Sequence, residues 1–199
     1  MQDKIDTTQT FSLTPELACW RKAERERLIA ERLAIPADTR NAMAQRIAAG
    51  LNACIGSFAG HTISLYWPFR GEPDLRPWMN AVIAGGGQVA LPVVVEKAHP
   101  LVFRPYRPGD PLEKGVWNIP VPASGQPVVP DVVIAPLVGF DPQNYRLGYG
   151  GGFFDRTLAS LPGKPLVIGV GYATQAIPTI YAQPHDIPMD RIVTDQSAS

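Results

Sequence analysis

The chain has 199 residues, 45% of them hydrophobic and 18% charged, which is enough to bury a substantial core in a single domain. Eighteen basic residues balance eighteen acidic ones, so no overall field draws it to nucleic acid or a membrane surface, and any affinity for anions must be local. Cys19 and Cys54 are far apart and form no Cys-x-x-Cys pair, which suits free thiols in a reducing, cytoplasmic compartment better than a disulfide or zinc site.

Residues 1–13 are polar, lack an apolar signal-type stretch and read as a flexible tail ahead of a domain over residues 14–199. No window offers the roughly 18 uninterrupted apolar residues of a membrane span. Thr14-Pro15-Glu16 combines an N-cap, an N1 proline and a first-turn acid, and predicts a helix to about Ala34, where Pro36 stops it. Arg21, Arg25 and Arg32 share one side of that helix, and taken alone they describe a solvated face. A second helix is predicted from about Asp38 to Phe58, with Met43, Ile47, Leu51 and Ile55 as a core stripe.

Thr62 to Trp67 reads as a strand, followed by the turn-rich Pro68-Phe69-Arg70-Gly71-Glu72-Pro73. Leu75, Trp78, Met79, Val82 and Ile83 have helical spacing up to the glycines at 85–87. Val89–Val95 and Leu101–Tyr106 are the next predicted strands. The proline-rich stretch over residues 107–130, holding Trp117-Asn118-Ile119-Pro120, reads as an ordered excursion. Asp131–Val138 is an almost unbroken apolar run, as expected of a strand covered on both faces. A helix to about Leu161, a strand over Leu166–Val170 and a closing segment ending near Thr194 complete the chain. Alternating strands and helices predict an α/β fold: one three-layer domain with a mainly parallel or mixed sheet flanked by helices.

The most informative stretch is Phe140 to Arg156. It leaves the carboxyl end of the apolar strand, where open α/β sheets bind ligands. Gly148, Gly150, Gly151 and Gly152 allow backbone N–H groups to approach an anion, and the following Phe154-Asp155-Arg156 opens a helix whose N-terminus favours negative charge. Arg146 adds a planar positive fork at the loop's entry. The loop is not a Walker A motif, having no Gly-Lys-Ser/Thr, and it is not a dinucleotide fingerprint, since Phe153 occupies a glycine position of that pattern. His61, His99 and His185 have no metal-binding spacing, and there is no Gly-x-Ser-x-Gly elbow.

Taken together, the basic first helix, the Gly71-Glu72 turn, Trp117-Asn118-Ile119-Pro120, the Phe140–Arg156 loop and the His185-Asp186 tail resemble the 5-formyltetrahydrofolate cyclo-ligase family. The resemblance implies an enzyme needing Mg²⁺ and ATP that closes 5-formyltetrahydrofolate into 5,10-methenyltetrahydrofolate, releasing ADP and phosphate. ATP and a reduced folate are then its partners, with no nucleic acid, membrane or obligatory protein partner. By that resemblance Arg146 and Glu72 carry catalysis. Arg21, Lys22, Arg25, Arg146 and the run Leu147, Gly148, Tyr149, Gly150, Gly151, Gly152, Phe153 and Phe154 hold the triphosphate. Arg25, Trp67, Glu72, Trp117 and Phe153 meet the folate, and Asp155 and Asp186 ligate Mg²⁺. Bland readings stand beside three of these: Trp117 as core packing, Asp186 as a surface turn residue, and Asp141 as no more than a brace for its own loop.

The chain departs from the family pattern at several positions. Arg21 stands where Lys is usual and Glu24 where Leu is usual. Asn144 replaces a glycine, a change that Asn tolerates in left-handed backbone. Phe153 and Phe154 replace a tyrosine pair, and loss of the first hydroxyl removes a hydrogen bond worth about 0.5–1.5 kcal/mol. That loss leaves two alternatives: a noncatalytic folate- or nucleotide-binding relative, or an ATP-dependent ligase for a different formylated heterocycle.

Overall fold

The computed structural model describes residues 14–197, so the tail expected over residues 1–13 lies outside the described residues. The first helix, α1 (Pro15–Ala34), starts where Thr14 Oγ1 accepts a hydrogen bond from Leu17 N–H, and it ends just before Pro36. A second helix, α2 (Ala37–Ile55), stops at Gly56, whose φ of 75° suits glycine. Next come β1 (Thr62–Ser64), α3 (Arg76–Ala84), β2 (Gln88–Val93) and β3 (Val102–Pro105). The excursion over residues 107–130 contains a hairpin, β4 (Leu112–Lys114) and β5 (Pro120–Pro122), joined through a tight turn at Val116–Asn118. After β6 (Val132–Pro136) a two-stranded hairpin, β7 (Gly139–Phe140) and β8 (Arg146–Leu147), carries the chain into the glycine loop and α4 (Phe153–Ser160). The last strands are β9 (Leu166–Val170) and β10 (Arg191–Val193).

Six strands form the main sheet in the order β10-β9-β6-β1-β2-β3, parallel throughout except for the antiparallel edge pair β2 and β3. The sheet is therefore mixed. β10 was not anticipated, because a three-residue Arg-Ile-Val segment carries too little periodicity to stand out. The expected strand over Thr62–Trp67 ends at Ser64 because Tyr66 and Trp67 turn off the sheet into a cavity.

Side chains alternate across the sheet and define the layers. Val132 and Ile134 of β6 join Met43, Ile47 and Leu51 of α2 and Trp78, Met79 and Val82 of α3 in the largest core. Val133 and Ala135 face the other way, against Phe154, Leu158 and Leu161. Each fully buried aliphatic side chain of this kind stabilises the fold by about 1.5–3 kcal/mol. A third cluster, Leu28, Val138, Leu147, Ile177 and Ile180, ties α1 to the loops at the carboxyl ends of the strands. Among the described residues no helix is long and apolar enough to cross a membrane.

From β1 the chain runs outward through β2 and β3, then returns as β6 on the other side of β1 before continuing to β9 and β10. The loops leaving β1 and β6 therefore diverge, and the crevice between them is the position where open α/β sheets bind ligands.

Candidate active site

The crevice is a cavity whose walls come from several separate parts of the chain. The turn after β1 supplies Trp67, Phe69 and Glu72, and α1 supplies Arg21 and Arg25. The hairpin turn contributes Trp117, and the run from Arg146 to Asp155 contributes one whole side. His185 and Asp186 close the polar end, while Leu91, Pro92, Val94, Leu101, Ile119 and Val121 make the rest apolar. Charged groups thus gather at one end and flat or aliphatic ones at the other.

At the charged end Arg146 is 9% exposed, and its Nη2 lies 3.1 Å from Asp155 Oδ2. Its guanidinium stands 5.0 Å from the centre of the Phe154 ring, and its Nε is buried without a partner among the described residues. Burial lowers its pKa, with Asp155 and Asp186 pulling the other way. Its positive charge at the cavity wall favours an anion there. Arg25 approaches the same loop from α1, donating from Nε to the Gly148 carbonyl at 2.6 Å. Its pKa is lowered chiefly by burial and next by the like charge of Arg21. Gly148 and Gly150 suit this crowded corner. A Cβ at position 148 would lie 2.6 Å from Arg146 Nη1, and one at position 150, where φ is 91°, would lie 3.3 Å from the Arg25 guanidinium carbon.

Arg21 and Arg32 correct the expectation of a solvated face, being 5% and 1% exposed. Arg21 donates from Nε to the Ile180 carbonyl and from Nη2 to the Tyr181 carbonyl and Asp186 Oδ2, the last at 2.6 Å. It anchors the closing segment to α1. Lys22, expected at the triphosphate, is exposed and does not line the cavity, because the next residue on a helix points about 100° away.

Asp155 and Asp186 both line the charged end, with 17% and 10% of their side chains exposed. Asp186 is therefore not a surface turn residue. Asp155 Oδ1 also accepts from Ile187 N–H, and Asp186 Oδ2 from Gln183 N–H. Among the described residues no three His, Cys, Asp or Glu side chains come together as a metal cage. A divalent cation held by these two carboxylates has to bring further oxygen ligands with it.

Glu72 forms the floor between the two ends and is 5% exposed. Phe69 N–H donates to its Oε2 at 2.9 Å, and the Tyr149 hydroxyl donates to its Oε1 at 2.8 Å. Burial raises its pKa from 4.5 to about 7, against the opposing pull of Arg32 and of those two hydrogen bonds. Trp117 is 52% exposed with its ring parallel to Phe69 within 10°, so it is a wall of the cavity rather than core packing. Trp67 and Phe153 also line the cavity. Asp141 braces its loop, accepting from Gln143 and Tyr145 N–H, and it also holds Ile180 N–H. Asn144 has the left-handed φ, 64°, that its loop position demanded.

The residues missed from the sequence are mostly apolar or act through others. Phe69, Leu91, Val94 and Ile119 carry no chemical signature. Arg32 had one, since it lies seven residues beyond Arg25 on the same helix side, and its burial required knowing what α1 packs against.

A sequence model of the 5-formyltetrahydrofolate cyclo-ligase family matches residues 18–195. The 5-formyltetrahydrofolate cyclo-ligase of Escherichia coli (strain K12) is 32% identical over 174 residues, covering 82% of this chain and 93% of that one. The one from Mycolicibacterium smegmatis is 30% identical over 178 residues, covering 85% and 91%. Among solved structures, the 5,10-methenyltetrahydrofolate synthetase of Aquifex aeolicus superposes with a TM-score of 0.77 at 27% identity, covering 89% of this chain and 90% of that one. The Mycoplasma pneumoniae 5,10-methenyltetrahydrofolate synthetase shares the fold with a TM-score of 0.74 at 24% identity, covering 88% and 99%. The matched region spans the arginine-bearing helix, the Glu72 turn, the glycine loop and Asp186, and the chain belongs to the 5-formyltetrahydrofolate cyclo-ligase family.

Proposed function

We propose that this cavity carries out the ATP-dependent cyclisation of 5-formyltetrahydrofolate to 5,10-methenyltetrahydrofolate, with the triphosphate at its charged end and the folate heterocycle at its aromatic end. The observation that carries the reading is the Arg146 guanidinium lining the cavity with Arg25 and Asp155, beside Gly148, where an added Cβ would lie 2.6 Å from Arg146 Nη1. A phosphate seated at that end meets a fixed positive charge, and the backbone of the glycine loop can close around it.

The chemistry suits a site without a nucleophilic side chain. A formyl oxygen is a poor leaving group. Transfer of the γ-phosphoryl group to that oxygen converts it into a phosphate ester on an electron-poor carbon; N10 then attacks, the ring closes and phosphate departs with the former formyl oxygen. Such a reaction needs positioning and charge stabilisation. Arg146 and Arg25 supply positive charge where phosphate oxygens gather, and Arg21 holds Asp186 in place. Asp155 and Asp186 fit Mg²⁺ that arrives on ATP, because Mg²⁺ takes one or two carboxylates and completes its shell with phosphate and water oxygens. Bound there, Mg²⁺ neutralises phosphate charge. Glu72 meets N–H donors of the heterocycle, and Trp67, Phe69, Trp117 and Phe153 give the flat ring apolar faces. Protein mixed with Mg-ATP and 5-formyltetrahydrofolate is expected to generate methenyl absorbance together with ADP; absence of product above background contradicts the reading.

A further inference from the structure

The turn that carries Glu72 is held from three directions. Arg32 of α1 donates from Nε to the Arg70 carbonyl at 2.9 Å. The Tyr172 hydroxyl, beyond β9, donates to the Gly71 carbonyl at 3.1 Å, and the Tyr66 hydroxyl, beyond β1, donates to the Pro73 carbonyl at 2.9 Å. The side chain of Glu72 is held as deliberately as its backbone. Arg32 Nη2 donates to the Tyr149 hydroxyl oxygen at 2.7 Å, which leaves the hydroxyl proton free for Glu72 Oε1 at 2.8 Å; the Phe69 carbonyl, at 3.4 Å, is the poorer acceptor. Arg32 also donates from Nη1 to the Leu137 carbonyl, so its guanidinium cannot rotate away. Burial and the Glu72 carboxyl hold the Tyr149 hydroxyl protonated far above its ordinary range, which makes it a donor at every working pH.

We propose that Arg32 and Tyr149 are positioning residues for the cyclisation: Arg32 fixes the Tyr149 hydroxyl, and that hydroxyl fixes the Glu72 carboxylate with its remaining lone pairs open to N–H donors of the bound heterocycle. The proposal rests on the reading that the folate meets Glu72. An ionised carboxylate offers about four lone-pair sites, and Phe69 N–H and Tyr149 take two of them. Only the ionised form can accept two more. The groups facing Glu72 are Arg32 and Tyr149, which favour ionisation, and the neutral hydroxyls of Tyr66 and Tyr172, each already donating to a backbone carbonyl. Removing the Tyr149 hydroxyl deletes one of the contacts that opposes burial. Because Tyr149 belongs to the glycine loop, the same bond also ties the seat of the triphosphate to the seat of the heterocycle.

The test is Tyr149→Phe, which keeps the ring and its packing, whereas Arg32→Gln strips the Arg70 and Leu137 carbonyls of their donor and endangers folding. Carboxyl-¹³C NMR of glutamate-labelled protein, with the Glu72 signal assigned by its loss in Glu72→Gln, gives the Glu72 midpoint without any turnover. The acid limb of kcat/KM for the folate gives the same group during catalysis. Tyr149→Phe is expected to move both upward by about one pH unit, a tenfold change in proton affinity, and to raise KM most below that midpoint. A midpoint and acid limb unchanged from wild type overturn the proposal. Wild-type protein that lacks turnover while Tyr149→Phe still moves the NMR midpoint removes the folate reading and leaves the Arg32–Tyr149–Glu72 linkage standing. Turnover with an immovable midpoint does the reverse.

Discussion

Replacing Glu72 with glutamine tests the electrostatics of the cavity floor through stability alone. The buried carboxyl of the native chain titrates near pH 7, whereas in the unfolded chain it titrates near its ordinary 4.5. A folded-state pKa above the unfolded one means that the folded chain holds its proton more tightly. Glu72 therefore contributes stability that is fully present below pH 4.5 and is lost as the pH rises to 7. At about 1.4 kcal/mol per pH unit, the rise amounts to about 3 kcal/mol, a large share of the stability of a domain. Glutamine does not titrate in this window, and the other groups common to both proteins largely cancel when the two are compared. Urea unfolding of wild type and Glu72→Gln at pH 5 and pH 8 is the assay. Relative to wild type, the variant is expected to gain about 2.5 kcal/mol between the two pH values, since part of the effect is already spent by pH 5, whatever its absolute standing at either. A difference that does not change with pH refutes the reasoning, and one of the opposite sign shows that Arg32 outweighs burial.

Arg146→Lys keeps the charge but loses the planar fork, and kcat/KM for ATP is expected to fall about 10- to 100-fold in steady-state assays, as for loss of a charge-assisted hydrogen bond; exposed Lys97→Ala leaves it unchanged. Gly148→Ala drives a Cβ to 2.6 Å from Arg146 Nη1 and is expected to weaken nucleotide affinity measured by calorimetry, with the fold intact by circular dichroism. Trp117→Ala is expected to leave the unfolding free energy from urea denaturation within about 0.5 kcal/mol of wild type, because the side chain is 52% exposed, while raising KM for the folate. Ile47→Ala, in the core and away from the cavity, is expected to cost about 2–5 kcal/mol of stability with kcat unchanged at a temperature where the variant is folded.

Much of this was legible in the residues. The boundaries of α1 followed from Thr14, Pro15 and Pro36, because capping and proline chemistry act locally. The strand Leu166–Val170 and the apolar run leading to Pro136 stood out because both are buried on two faces. Arg146, Asp155 and the glycines at 148–152 were legible as a group, since a charged glycine loop after a buried strand has few other uses. Arg32 was not, because a charged residue on a helix is usually solvated, and only tertiary packing against Leu137, Arg70 and Tyr149 buries it. The hydroxyl of Tyr149 was hidden for a related reason: it reaches Glu72 across 77 positions of sequence. Lys22 was misplaced because a run of basic residues does not say which of them faces inward.

The proposed cyclisation places transfer of the γ-phosphoryl group to the formyl oxygen inside the cavity, between Arg146 and Glu72. The most direct measurement uses 5-formyltetrahydrofolate carrying ¹⁸O in the formyl group, Mg-ATP and a single turnover, with the label followed by mass spectrometry. One ¹⁸O is expected in the released phosphate for each methenyl product formed, with the yield cut in Arg146→Lys. Label appearing in water instead, or label in phosphate at the wild-type rate without the Arg146 fork, contradicts it.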